Sequence, residues 1–383
     1  MDTIGIICEY NPFHNGHIYH LQKIKEMFPE SLIILVMSGN FTQRGIPSII
    51  NKWDKTEIAL KFGIDLVIEL PFPFASQSAD IFAHGAISIL KELNANYLVF
   101  GSESNNIDLL TKYANISLSK EYQEEVQKNI NKGINYPTAL SNSFKPFIDN
   151  NIFLPNDLLG LSYIKEIMIQ KANIKPISIQ RTNNYHDLSI NTSISSATSI
   201  RNGYINGNDI SNVVPEIVLD KIKDSLFIQE EYFKYLKYKI LTSKDLSIYQ
   251  TVDEGIENRI KKVIVDCTTW DKLVNKVKTK RYTYNKINRM FIHILCDFTK
   301  EEANKFKNIS YIRVLGFSKS GQIYLNQLKK EVKLPIITTF SRSNDKMLEL
   351  EMRTTSVYAS VLGEDNKNKL IKQEYSNKPK MKV

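Results

Sequence analysis

Two histidines three residues apart, His14 and His17, stand where an apolar run gives way to an amphipathic one. Residues Thr3 to Cys8 (TIGIIC) read as a short buried strand and Asn15 to Phe28 as a helix. The pair therefore straddles a helix start, beside Asn11-Pro12 and with Gly16 between the rings. Backbone N–H groups in a first helical turn lack intrahelical acceptors and lie at the positive end of the dipole, so anions settle there. Two imidazole donors added to that seat suit a triphosphate whose charge shifts during reaction. An isolated H-x-x-H pair is more commonly a solvated helix face. Its place directly after an N-terminal strand favours phosphate chemistry.

Two further groups carry chemical potential. In Ser195-Ser196-Ala197-Thr198-Ser199-Ile200-Arg201, serine is a favoured N-cap, and hydroxyls with free N–H groups suit phosphate oxygens. Arg201, about two turns in, would reach back to a phosphate. Alone, the segment is more often a Ser-rich cap with a surface arginine; paired with the histidines, phosphate binding is the better reading. Lys276, Lys278, Lys280, Arg281, Tyr282, Tyr284, Lys286 and Arg289 concentrate positive charge and aromatic rings within fourteen residues. That composition suits RNA phosphates with stacking on an unpaired base, and equally a solvated basic helix face. His84, in IFAHGAISIL, and His293, in FIHIL, read as core histidines.

The elements that must position these residues alternate cleanly at first. Ser31 to Met37, Asp65 to Leu70 and Tyr97 to Phe100 are strand-like runs, the last ending at Gly101. Asp54 to Phe62 and Asp80 to Leu93 are helical. Such alternation means a parallel sheet with right-handed crossovers, whose ligand crevice lies beyond the carboxyl ends of the strands. Residues 105–150 are a helical excursion rich in Asn, Lys and Ser. The pattern resumes with a helix at Leu158 to Gln170 and a strand at Pro176 to Arg181. Beyond about residue 210 helices dominate, with possible strands at Tyr311 to Leu315 and Pro335 to Thr339. The tail from Asn366 is polar and basic and is expected to fray.

With 383 residues, two domains are expected. The balance of 50 Lys+Arg against 41 Asp+Glu, net +9, weakly favours an anionic partner. Cys8, Cys267 and Cys296 are widely separated, which argues against a disulfide framework or a zinc site. No apolar run approaches membrane-spanning length, and the chain enters a strand directly from Met1-Asp2 without a signal-peptide pattern, so a soluble cytoplasmic protein is expected.

Together the two phosphate elements resemble the nucleotidylyltransferase superfamily, whose (H/T)-x-G-H and I-S-S/T-x-x-I-R motifs flank ATP phosphates. Further segments narrow the resemblance: Gly5 to His17, Met37 to Gly45 (MSGNFTQRG), Asp65 to Pro71 (DLVIELP) and Tyr97 to Glu103 (YLVFGSE). Asn156 to Gly160 (NDLLG), Arg181 with Tyr185-His186-Asp187, and Lys280 to Tyr284 (KRYTY) complete the set. It spans most of the chain and is similar to the bacterial tRNA(Met) cytidine acetate ligase family.

The resemblance implies an α/β fold. A Rossmann-like parallel-sheet nucleotidylyltransferase domain would span 1–205, followed by a helix-rich, basic, tRNA-binding domain over 206–383. It implies that acetate attacks the α-phosphate of ATP to give acetyl-adenylate, and that the acetyl group passes to N4 of the wobble cytidine of elongator tRNA(Met). Ile7, Cys8, Glu9, Tyr10, Asn11, Pro12, Phe13, His14, Asn15, Gly16, His17, Ile18, Tyr19 and His20 would form the ATP loop. Gly101, Asn156 and Arg181 would complete the nucleotide pocket, Ser195, Ser196 and Arg201 would steady the outer phosphates, and His14 and His17 would be catalytic. Lys278, Lys280, Arg281, Tyr282, Tyr284 and Arg289 would meet tRNA, and His186 stays open for that role. Mg2+ is expected with ATP, with no ligand set legible. Gln43 and Arg44 are candidates for seating acetate, although a loop arginine is as often plain surface. Glu69 reads as structural, capping the segment after Pro71. Phe317-Ser318-Lys319-Ser320-Gly321 mimics the K-M-S-K-S loop of class I aminoacyl-tRNA synthetases; with Ser195–Arg201 already in that role, it reads as a turn and helix start with Lys319 exposed. A metabolic adenylyltransferase and a non-catalytic RNA-binding protein are the competing classes; the basic C-terminal half argues against the first, and intact His14, His17 and Arg201 against the second.

Overall fold

The computed structural model describes residues 1–148, 155–181, 194–223, 229–376 and 378–382. Its strands are β1 (Thr3–Cys8), β2 (Leu32–Ser38), β3 (Leu66–Leu70), β4 (Tyr97–Ser102), β5 (Lys175–Gln180), β6 (Ile312–Phe317), β7 (Ile336–Ile337) and β8 (Lys380–Met381). They form one sheet in the order β5-β4-β1-β2-β3-β6-β7, with β8 on β6. The first five run parallel. β6 pairs antiparallel to β3, Leu66 opposite Phe317 and Ile68 opposite Val314. Residues beyond 206 thus supply sheet as well as helices.

The helices of the first half are α1 (Asn15–Met27), α2 (Lys52–Lys61), α3 (Phe72–Ala75), α4 (Ala79–Glu92), α5 (Ile107–Ser117), α6 (Lys120–Asn131), α7 (Tyr136–Asn142), α8 (Pro155–Ile169) and α9 (Ala197–Ile205). After them come α10 (Glu216–Lys223), α11 (Phe233–Thr242), α12 (Ile256–Ile264), α13 (Trp270–Val277), α14 (Tyr284–Leu295), α15 (Lys300–Lys305), α16 (Lys319–Leu328), α17 (Lys346–Ala359) and α18 (Glu364–Ser376). β2 shows why the sheet lies in the middle. Its alternate residues Ile33, Leu35 and Met37 enter one core, and Leu32, Ile34 and Val36 the other. A strand covered on both faces must be apolar throughout. The first of these cores runs continuously from β1 and α1 through Trp53 to Trp270, Ile287 and Phe291, so the later helices pack into it.

The tail is ordered rather than frayed. α18 buries Leu370 and Glu374, and Lys380–Met381 pairs with β6. The Glu374 carboxylate lies 3.0 Å from Lys52 Nζ and accepts the Trp53 indole N–H at 3.2 Å. Lys52 also bonds Glu69 Oε1 at 2.7 Å, and Arg313 Nη2 donates to the Glu374 carbonyl at 3.2 Å. All four charged side chains are fully buried. Burial works against the Lys52 charge, yet Glu374 and Glu69 hold it above the ordinary lysine range. Buried charges persist only when paired in this way, and here the pairing anchors the chain end. Glu69 is structural, but it does not cap the next segment: Glu351 accepts the Phe72 N–H at the start of α3.

Candidate functional site

α1 begins at Asn15 because His14 caps it. His14 Nδ1 accepts the Gly16 N–H at 3.0 Å, and His17 Nδ1 accepts the His14 N–H at 3.2 Å. The two imidazoles thus form a reciprocal capping box, in the places usually held by Ser or Thr and Glu or Gln. With both Nδ1 atoms accepting, each neutral ring carries its proton on Nε2. The Nε2 atoms have no hydrogen-bond partner among the described residues, so each offers one donor to a ligand. Gly16 is required between them: a Cβ there would stand 2.8 Å from His14 Cε1.

The ring centroids lie 3.9 Å apart, and Tyr10 and Phe13 support His17 at 4.6 and 5.4 Å. Burial, then Arg181 and Arg201, lowers His14 to about 3. Burial, His14, His20 and Arg181 push His17 well below the ordinary histidine value. His20 falls to about 4 through burial and Arg181. Before an anion arrives the histidines are neutral donors, and the positive charge comes from arginines. Burial first, then Glu9, raises the Cys8 thiol to about 12, which leaves it protonated and a poor nucleophile.

Arg181 follows β5 and lies across Gly101, where a Cβ would stand 3.3 Å from its Cγ. Arg201 Nη1 donates to the Asn11 carbonyl at 2.6 Å and Nη2 to Thr198 Oγ1 at 3.2 Å. It stands little more than one turn into α9, not two, because Ser196 is the cap, its Oγ accepting Ser199 N–H at 3.1 Å. Ser195 is buried, and Ile194 packs against Gly16, bringing this segment onto the start of α1. Arg44 Nη1 reaches the same Thr198 oxygen at 3.1 Å. Arg181 Nε, His20 Nε2 and Asn11 Nδ2 are buried without partners among the described residues. Such a surplus of donors is what a polyanion requires.

The supporting contacts were not legible in the sequence. Lys55 Nζ donates to the carbonyls of Glu9, Ser38 and Gly39 at 3.0, 2.8 and 2.8 Å, clasping the ends of β1 and β2. Burial lowers it to about 7, but three bonds to three carbonyls use the three donors of the ammonium form. Glu9 Oε1 accepts the Gln43 N–H at 2.6 Å, fixing the loop after β2. Beyond β4, Glu103 accepts the Asn156 amide at 2.5 Å and the Asp157 N–H at 2.9 Å. Asp157 in turn accepts Ser102 Oγ at 2.5 Å and Glu103 N–H at 3.1 Å. Asn156 is thereby held at the strand end beside Gly101. Asn15 Nδ2 donates to Asn212 O at 2.9 Å, and Lys23 lies 5.8 Å over the Tyr19 ring on the same helix as Ile18. Ile7 and Pro12 are buried within the loop.

The basic segment divides. Lys278, Lys280 and Tyr284 are exposed, with Lys278 Nζ 5.1 Å from the Tyr284 ring centroid. Arg281 pairs with Glu254 at 3.1 Å. Tyr282 is only 4 % exposed, its hydroxyl on Asp253 O at 2.7 Å and its ring beneath Lys286, so it is packed as core. Arg289 turns the other way and donates to Gln43 O at 3.1 Å. His293 is fully buried, as a core histidine should be. His84 is instead at the surface, bonded to Glu166 Oε2 at 3.0 Å, because α8 brings a carboxylate alongside it. Ser318 caps α16 with Lys319 exposed. His186 lies outside the described residues.

Residues 1–374 match the family model HIGH Nucleotidyl Transferase. Among curated relatives, the tRNA(Met) cytidine acetate ligase of Geobacillus sp. (strain WCH70) is 39 % identical over 99 % of both chains. That of Oceanobacillus iheyensis is 42 % identical over 98 % of both. The crystal structure of Thermotoga maritima TmcAL bound with alpha-thio ATP superposes with a TM-score of 0.89 at 28 % identity, covering 100 % of this chain and 99 % of that one. The histidine cap, the arginines facing it and this full-length similarity agree: the chain belongs to the tRNA(Met) cytidine acetate ligase family of HIGH nucleotidyl transferases.

Proposed function

We propose that this protein activates acetate with ATP and acetylates N4 of the wobble cytidine of elongator tRNA(Met), giving N4-acetylcytidine. In the first step an acetate oxygen attacks the α-phosphorus, the bond to the β-phosphate bridging oxygen breaks, and pyrophosphate leaves. In the second, the cytosine N4 amine attacks the acetyl carbonyl, AMP leaves, and one N4 proton is lost. The neutral Nε2–H donors of His14 and His17 at the start of α1 carry this reading. They stabilise charge growing on the leaving pyrophosphate without neutralising it beforehand. Arg201, with the Ser195–Ser196 cap, would steady the β- and γ-phosphates, and Arg181 the nucleotide beside Gly101. The exposed Lys278, Lys280 and Tyr284 would meet tRNA, and work on tRNA implies the cytoplasm. Among the described residues no helix is long and apolar enough to cross a membrane.

Among the described residues no group of three or more His, Cys, Asp or Glu side chains could hold a metal ion. Mg2+ is proposed to accompany ATP, held mainly by the phosphates and water. The test is ATP–pyrophosphate exchange with and without acetate, followed by mass spectrometry of tRNA(Met) after incubation with ATP and labelled acetate. Exchange should require acetate, and the label should appear on the wobble cytidine. Exchange that needs a phosphorylated acceptor instead would overturn the reading in favour of a metabolic adenylyltransferase.

A further inference from the structure

The turn between β2 and α2 is held from several directions. Phe41 and Pro47 pair across it as an antiparallel bridge, and the Thr42 and Gly45 N–H groups donate to the Ile46 and Thr42 carbonyls, each at 2.9 Å. Glu9 of the nucleotide loop accepts the Gln43 N–H at 2.6 Å, and Arg289 Nη1 donates from α14 to the Gln43 carbonyl at 3.1 Å. Gly45 has a φ of +71°, and a Cβ there would collide with the Arg289 backbone nitrogen, so the turn sits directly on α14. Contacts on either side of Arg44 therefore fix its backbone. An arginine carried on so firm a turn is placed for a purpose beyond solubility.

The side chain of Arg44 is partly buried, and its Nη1 donates to Thr198 Oγ1 at 3.1 Å. Arg201 Nη2 donates to the same oxygen at 3.2 Å. A hydroxyl oxygen has two lone pairs, and here each meets a guanidinium group. Two like charges on one neutral oxygen repel each other until an anion lies against both. Asn11 adds a third donor beside them. Its carbonyl accepts Arg201 Nη1 at 2.6 Å and its Oδ1 accepts the Ile49 N–H at 2.8 Å, while its Nδ2 is buried without a partner among the described residues. Asn11 is only 3 % exposed, and burying an amide donor unpaired is costly. Several donors converging on one place suit phosphates, which carry several charges on neighbouring oxygens.

We propose that Arg44 is a further catalytic residue of the first step, binding the outer phosphates of ATP together with Arg201 and stabilising pyrophosphate as it leaves. The proposal rests on the reading of this protein as an acetate-activating enzyme. It sets Arg44 at the phosphates and not at acetate, whose single charge is satisfied by one guanidinium fork. When the bond between the α-phosphorus and the bridging oxygen breaks, the electron pair stays on that oxygen and negative charge grows on pyrophosphate. Thr198 and the fixed turn hold the two guanidinium groups in place before substrate arrives, so they meet that charge without rearranging.

Calorimetric binding of ATP and of AMP to the wild type, Arg44→Gln and Arg44→Lys separates the outer phosphates from the rest of the nucleotide. Arg44→Gln should weaken ATP binding about 10- to 100-fold, the worth of a charged hydrogen bond, and leave AMP binding unchanged. Arg44→Lys keeps the charge but loses the fork, so it should recover part of the loss; it also serves for the comparison should Arg44→Gln fail to fold. In the exchange assay the KM for pyrophosphate should rise in both variants while the KM for acetate stays as in the wild type. Unchanged ATP affinity, or equal losses for ATP and AMP, would overturn the proposal. So would a raised KM for acetate with ATP binding intact, which would make Arg44 the acetate seat, or a loss confined to tRNA binding. Absence of acetate-dependent exchange from the wild type would strike the functional reading and leave the comparison of ATP with AMP to judge Arg44.

Discussion

Mild acid should destabilise the free protein through histidines that the fold keeps neutral. His14 is lowered to about 3 by burial and by Arg181 and Arg201. His293 is lowered to about 4 by burial, with Arg289 adding to the effect against two backbone carbonyls. Both start from an ordinary value of 6.5. Between the folded and ordinary values the unfolded chain binds the extra protons. Stability is therefore intact above about pH 6.5 and falls as pH drops towards 4. At pH 5.5 His14, His293 and His20, the last lowered to about 4, each contribute a loss of about 1.4 kcal/mol, about 4 kcal/mol for the three, and His17 adds in the same sense. His84, raised by its bond to Glu166, works in the opposite sense near the surface. The assay is urea unfolding at pH 7.5 and 5.5 for the wild type and His14→Asn. Asparagine keeps an acceptor where Nδ1 receives the Gly16 N–H and is itself a good cap, so the variant should fold and lose about 1.4 kcal/mol less stability than the wild type at pH 5.5. Equal pH dependence in wild type and variant would refute the neutral-donor argument.

Three other outcomes follow from the same geometry. His17→Ala should abolish acetate-dependent pyrophosphate exchange while tRNA binding persists; loss of tRNA binding instead would mean that the helix start is structural. Charge reversal at Lys280 and Arg281 should weaken tRNA binding and lower its salt dependence, and Tyr284→Ala should weaken it too, whereas Tyr282→Phe should reduce thermal stability through the lost Asp253 bond and spare tRNA affinity. Lys52→Met leaves Glu69 and Glu374 facing each other in the core, so it should cost about 3–5 kcal/mol in denaturant unfolding; a smaller change on adding Glu374→Gln would confirm the pairing, and two independent losses would refute it.

Much of the site was legible because its signals are local. The apolar run of β1, the spacing of His14 and His17 and the glycine between them all act within a few residues, and so does the Ser196 cap. Other features were not. Tyr282 sits in a basic run that reads as RNA-facing, but Asp253 and Glu254 from a distant turn draw it inward. Arg289, on the same helix as the exposed Tyr284, faces Gln43 on the far side of the sequence. His84 lies in an apolar segment and still reaches the surface, where α8 supplies its carboxylate.

The sequence by itself determined the alternation of strand and helix, the two histidines at the start of the first helix and the Ser-capped helix that carries Arg201. Periodicity and capping depend on neighbours one to four residues away, so a linear string contains them. Only the tertiary structure decided that the histidines are neutral, that Lys55 clasps the strand ends and that a polar tail is anchored by Glu374, 321 residues from its partner Trp53. Protonation and the retention of buried charge depend on burial and on charges brought together by folding, and no local pattern records those.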